Sequence, residues 1–152
     1  MSLLQVLNLP PAPLKLSSKA GRIFVNCLIR KKQIILTPEE WVRQHLISFL
    51  NLHQGYAIEK MAVEKQIQYD GFTRRWDLVV YNEKFEIEIL VECKAPQIKI
   101  SHEVFIQIST YQNKLKASWL ILSNGKDHLI YEIDSNQNKL LQCKNFPIKT
   151  AR

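Results

Sequence analysis

Two β-prone runs, Thr73–Tyr81 and Glu86–Lys94, flank the turn residues Asn82-Glu83-Lys84-Phe85. So short a connection leaves little but an antiparallel hairpin. Ala95-Pro96 closes the second run, because proline cannot continue a central ladder. A hairpin centred between Lys84 and Phe85 sets Asp77 directly across from Glu92. Lys94, two residues on, shares the face of Glu92. The neighbours Leu78, Val79, Val80, Ile89, Leu90 and Val91 are apolar. Like charges opposed on a sheet destabilise it, and an unpaired buried carboxylate costs several kcal/mol. Compensating positive charge is therefore expected. Lys94 can neutralise one acid, and a divalent cation would compensate more fully. Hard oxygen ligands select Mg²⁺ or Mn²⁺.

Such a trio can do hydrolytic chemistry on a phosphodiester. A metal held by Asp77 and Glu92 would polarise the phosphate and acidify a bound water. Lys94 could orient that water or help remove its proton. Phosphoryl chemistry depends mainly on positioning and charge stabilisation, so few groups are needed. The same residues also admit a purely structural ion cluster with Lys94 paired to both acids.

Other elements follow from periodicity and caps. Short β pieces are expected near Arg22–Val25 and Gln33–Leu36. Thr37-Pro38-Glu39-Glu40 reads as a helix start, with Thr37 as N-cap, Pro38 at the first position and Glu40 completing a capping box. Val42, Leu46, Phe49 and Leu50 give that helix an apolar stripe, and Gly55 ends it. Met61–Tyr69 is a strand, with a turn at Asp70-Gly71. Ser101 caps a second helix through about Leu115, bearing Val104, Ile108, Tyr111 and Leu115 on one face. Trp119–Leu122 is an apolar strand, Asn124-Gly125 signals a two-residue hairpin turn, and His128–Ile133 and Leu140–Lys144 are strands. Antiparallel strands followed by a crossover helix imply an α/β fold: a mixed sheet with a helix on each face. Residues 1–21 read as an extended Pro-containing segment and 22–152 as one domain.

Charge adds a second pattern to the net +7. Residues 1–38 hold Lys15, Lys19, Arg22, Arg30, Lys31 and Lys32 with no acid, and the last eighteen residues are also purely basic. Basic flanks around an acidic centre suit a protein that holds phosphates, or simply a soluble one. Cys27, Cys93 and Cys143 suggest neither a disulfide framework nor a zinc site, which fits a reducing cytoplasm. No apolar run approaches the roughly 18 residues of a membrane span, and no secretory signal is expected at the start. His45, His53, His102 and His128 are not spaced as ligands, and Trp41 and Trp119 read as core.

RRWDLVVYN followed by ILVECKAP resembles the PD-(D/E)xK nuclease superfamily, with Trp76 where its name has proline. More narrowly, the chain resembles the N-terminal nuclease domain of the restriction subunit of type I restriction enzymes. LTPEEWVRQ is similar to that family's first helix, Gln107-x-x-x-Tyr111 to its QxxxY element, and WLILSNG to its next strand and turn. The resemblance implies a three-layer α/β/α restriction-endonuclease-like core and Mg²⁺-dependent DNA cleavage, with Mn²⁺ as an alternative ion. It implies that Asp77 and Glu92 bind metal, that Glu40 reaches it, and that Lys94 is the catalytic lysine. Gln107 and Tyr111 would line the site and place the DNA strand. Strand alternation, independently of the resemblance, puts Arg75 on the face of Asp77 and Arg74 on the other, where Arg75 could contact a phosphate or equally pair with Glu64 or Glu59. No GxxxxGK[ST] phosphate loop occurs, so a stand-alone domain is expected. Its expected partners are DNA and a subunit supplying targeting or translocation, with homodimer formation left open. The competing expectation is a module of the same fold that binds nucleic acid or protein without cutting.

Overall fold

A computed structural model describes residues 4–69, 71–109, 116–134, 136–137 and 139–150, without the side chains of 69, 72 and 106–109. Strands β1 (Leu16–Lys19), β2 (Arg22–Asn26) and β3 (Gln33–Ile35) form a small antiparallel sheet. Helix α1 (Pro38–Leu52) follows. Strands β4 (Met61–Tyr69), β5 (Phe72–Tyr81) and β6 (Ile87–Cys93) form a meander. Helix α2 (His102–Ser109) crosses over to β7 (Trp119–Ser123), and β8 (His128–Asp134) and β9 (Lys139–Cys143) complete the six-stranded sheet. The order is β4-β5-β6-β7-β8-β9, with only β6 and β7 parallel.

The sheet separates two apolar cores. Val42, Leu46, Ile47 and Leu50 of α1 pack with Leu78, Val80, Ile89, Val91 and Ile121 on one face. Phe105 of α2 packs with Trp76, Val79, Leu90, Leu120, Leu122 and Tyr131 on the other. Each fully buried Leu, Ile, Val or Phe contributes roughly 1.5–3 kcal/mol. Three layers result, as the hairpin-and-crossover pattern implies. Phe105 stacks on Tyr131 with ring centroids 3.6 Å apart, and the Tyr131 hydroxyl hydrogen-bonds His102, so α2 is fastened to β8.

The helix starts form as expected. Thr37 Oγ1 accepts the Glu40 N–H at 3.0 Å, and Ser101 Oγ accepts that of Val104 at 3.4 Å. The last turns of the second expected helix lie outside the described residues. Two details differ from expectation. Leu16–Lys19, within the segment read as merely extended, pairs with β2 as a strand. The β7–β8 connection is a four-residue loop, Asn124–Asp127, because the Asn124 side chain accepts the N–H groups of Lys126 and Asp127. This side-chain turn competes with the tight two-residue turn and widens the loop.

The first residues are built into the main body. The Trp41 indole donates to the Gln5 carbonyl at 2.8 Å, and the Asn8 N–H donates to the Gly125 carbonyl at 2.8 Å. Gly125 has φ +85°, and a Cβ there would lie 2.8 Å from Leu7 Cδ2 and 3.1 Å from Val42 Cγ2. Gly125→Ala therefore meets both backbone strain and steric crowding. It should lower the free energy of unfolding by about 1–3 kcal/mol, read from urea denaturation.

Candidate active site

The β5–β6 register keeps the arithmetic read from the hairpin. Leu78 pairs with Val91, Val79 with Leu90, and Val80 with Ile89, which continues to Asp77 opposite Glu92. A register shift between Val80 and Tyr81 lies on the turn side and leaves the acids aligned. Asp77 Oδ2 accepts the Cys93 N–H at 2.7 Å, so the backbone of β6 holds the carboxylate. Burial pushes the Glu92 carboxyl up to about 8, helped by its hydrogen bond to Asp77 and the charge of Asp77. Arg74 and Lys94 pull in the opposite direction without offsetting this. The shift favours the protonated form of Glu92 near neutral pH, as expected of a carboxyl beside a like acid.

Sequence offers Lys94 as able to neutralise one acid; the ion pair observed on Glu92 is with another cation. Glu92 is ion-paired with Arg74, whose guanidinium also lies over the Trp76 ring, 4.4 Å from its centroid. Strict alternation would put Arg75 with Asp77 and Arg74 on the other face. The β4–β5 ladder breaks that alternation at Glu64, which has φ +50°. Val63 packs in the α1 core whereas Ile67, four residues on, packs in the α2 core. A residue with positive φ rotates the strand and re-aims every side chain beyond it. On β5 the break falls opposite, at Asp77, since Trp76 packs in the α2 core and Leu78 in the α1 core; Arg74, in phase with Trp76, meets Glu92, while Arg75 stands exposed and acts on Glu64. Lys94 donates its N–H to the Ser123 carbonyl at 2.8 Å, and its charge acts on both Glu92 and Glu39.

Arg43 of α1, absent from the residues picked out by sequence, organises the acids. It chelates Glu40 through Nε at 2.9 Å and Nη2 at 2.6 Å, and Gln44 donates to the same carboxylate at 3.0 Å. It also lies 3.8 Å from Glu64 Oε1 and 3.7 Å from Asp77 Oδ1. Burial alone would lower the Arg43 pKa, but bonding to Glu40 and the surrounding acids raise it, so the guanidinium stays charged. Glu40 is thus held in an internal ion pair rather than directed toward Asp77.

Glu39, the preceding residue, is the helix acid that feels the site. Its carboxyl is raised first by burial and then by Asp77, with Arg43 and Lys94 opposing. The signal was present in the spacing: Glu39, Val42 and Leu46 share one helix face, so Glu39 extends the core-facing stripe. Gln107 lies on α2, with its side chain outside the description, and Tyr111 lies outside the described residues. Among the described residues, no three His, Cys, Asp or Glu side chains form a metal-binding group, although two hard-oxygen carboxyls do meet.

Helices on both faces of a mixed sheet, and an acid pair beside a lysine on its central strands, define a restriction-endonuclease-like domain. Residues 38–147 match the family model described as type I restriction enzyme R protein N terminus, and the chain belongs to that family. Comparison with curated protein sequences finds no match. Among solved structures, the chain is similar to a fragment assigned to the HsdR subunit of a type I restriction enzyme from Vibrio vulnificus YJ016. Sequence identity is 18%, and the match covers 63% of this chain and 21% of that one, with a TM-score of 0.43. The chain therefore spans about a fifth of the length of that fragment.

Two stability measurements check the electrostatics. Arg43→Met should destabilise the domain by about 3–5 kcal/mol, because it strands the buried Glu40 carboxylate. Adding Glu40→Gln should recover part of that loss in the same denaturant titration. The second concerns Glu92, whose native pKa is raised. The native state then binds the proton more tightly than the unfolded chain, so its contribution falls as pH rises between about 4.5 and 8. Glu92→Gln should flatten the thermal stability profile across that window, and an unchanged profile would contradict the raised Glu92 carboxyl.

Proposed function

We propose that this domain is a metal-dependent DNA endonuclease whose centre is Asp77, Glu92 and Lys94. The observation that carries this reading is the meeting of two half-buried carboxyls on β5 and β6 with Lys94 in electrostatic range of both Glu92 and Glu39. A carboxyl whose proton affinity is raised by burial and by a neighbouring acid marks a site where added positive charge is favourable. Hard oxygen donors suit Mg²⁺ or Mn²⁺. Such an ion, held by Asp77 and Glu92 with Glu39 as third acid, would polarise the phosphate and supply an acidified water.

The chain's own residues do the positioning. The Cys93 N–H fixes Oδ2 of Asp77, while Oδ1 lies 3.7 Å from Arg43. Lys94 orients the attacking water and balances the charge gathered at the phosphate. Glu40 is not assigned to the metal in this reading, because Arg43 and Gln44 hold its oxygens. Gln107 and Tyr111 place the DNA strand, and Arg75, exposed on β5, contacts a flanking phosphate. The partners are DNA and another subunit that brings DNA to the site, in the cytoplasm. No described helix is long and apolar enough to cross a membrane.

A second reading has its own support. The Arg74–Glu92 ion pair engages one of the oxygens a metal would need, which suits a module that binds without cutting.

A plasmid-nicking assay separates them. With Mg²⁺ or Mn²⁺ the wild type should cleave, and Asp77→Asn, Glu92→Gln or Lys94→Ala should each lose at least about 100-fold. Chelating the metal should abolish cutting. Cleavage that survives all three substitutions would overturn the assignment of the centre, and no cleavage with any metal would decide for the second reading.

A further inference from the structure

The β1–β3 sheet and the loop after β2 lie outside the residues matched to the family, and their charge is one-sided. Lys15, Lys19, Arg22, Lys31 and Lys32 are all exposed, and no ion pair among the described residues engages them. Lys19 and Arg22 stand directly across from each other on β1 and β2. Like charges in that position destabilise a sheet. Solubility alone does not require this crowding of a single sign.

The loop Cys27–Lys32 is firmly built. The Cys27 N–H donates to the Lys32 carbonyl at 2.9 Å, and the Lys31 N–H donates to the Cys27 carbonyl at 2.9 Å. The Leu28 N–H donates to Gln44 Oε1 of α1 at 3.0 Å. Arg30 turns inward from the same loop to an ion pair with Glu64. Glu64 lies 3.8 Å from Arg43, and Arg43 lies 3.7 Å from Asp77. Two intervening side chains therefore connect this basic loop to the acid pair. Beside it, Lys15 and Lys31 border one cavity of about 240 Å³, completed by Pro13, Asn26, Cys27 and Leu28.

We propose that the loop Cys27–Lys32 with Lys15, Lys19 and Arg22 is a clamp for the sugar–phosphate backbone of DNA entering the Asp77–Glu92 site. The clamp rests on the DNA-cleaving reading and names the surface that holds the substrate. A polyanion relieves the repulsion between Lys19 and Arg22, and it finds two ammonium groups converging on one recess. The clamp grips phosphates, so it positions the duplex without reading its sequence. The Arg30–Glu64–Arg43 chain holds the clamp in fixed relation to the acids.

Binding of a labelled duplex by the full chain, measured by anisotropy in chelator over a range of salt, tests the clamp without cleavage. Lys31→Glu/Lys32→Glu should weaken binding by at least about tenfold. It should also reduce the slope of log K against log salt by about 2, near 0.9 for each phosphate no longer neutralised. Lys139→Glu/Lys144→Glu makes the same charge change on exposed residues at the far edge of the six-stranded sheet, and should cost less than about threefold. Urea midpoints verify that both variants fold, and Lys15→Ala gives a milder second probe in the same direction. Equal weakening by the two charge-reversed pairs, an unchanged slope, or no binding by wild type would overturn the clamp. A wild type that binds through the loop yet never cuts would instead uphold the clamp and remove the nuclease reading.

Discussion

Arg43 is the interaction on which the rest of the site depends. A buried guanidinium is tolerated only where its desolvation is offset by well-formed bonds. Here α1 itself provides them, through Glu40 one turn earlier, and two strands add Glu64 and Asp77. One side chain thus sets the helix against both strands of the β4–β5 hairpin. It keeps positive charge behind Asp77 without occupying the space in front of Glu92. An apolar residue at 43 could fill the volume, but it would leave acids from three elements without a common counter-charge.

That arrangement leaves the acid pair in tension. Asp77 lies 3.7 Å from Arg43 and accepts the Cys93 N–H, whereas burial and the charge of Asp77 raise the Glu92 carboxyl. Arg74, stacked on Trp76, provides a counter-charge from the opposite face. The site therefore carries acids and bases in near balance and responds to small changes in charge. Chemistry on a phosphate diester needs such poise, because the charge to be stabilised arrives with the substrate.

Much of this was legible in the sequence because hairpin geometry is nearly digital. A short turn fixes register, and register fixes that residue 77 faces residue 92. Caps were legible for a similar reason: Thr37 and Ser101 act within three residues of themselves. What misled was the assumption of unbroken alternation. Glu64 in a left-handed conformation gives no sequence warning, since glycine is the residue expected there. The cores change sides at this point on both strands, so Arg74 lies with Trp76 beside Glu92. Glu40 was legible for a different reason. The capping pattern explained Glu40 locally, yet its carboxylate went to Arg43 and Gln44, three and four residues along the same helix.

The sequence by itself determined the layers, the register of the central hairpin and the presence of two acids and a lysine near its end. Those features depend on contacts a few residues apart or on periods of 2 and 3.6. Only the tertiary structure decided which cation meets which acid, and that the basic N-terminal sheet is tied to α1 beside the site. The ion-pair partners Arg30–Glu64 and Arg43–Asp77 are each separated by 34 positions. Such partners are chosen by how layers stack and by where one strand twists, and no local pattern in the chain records that.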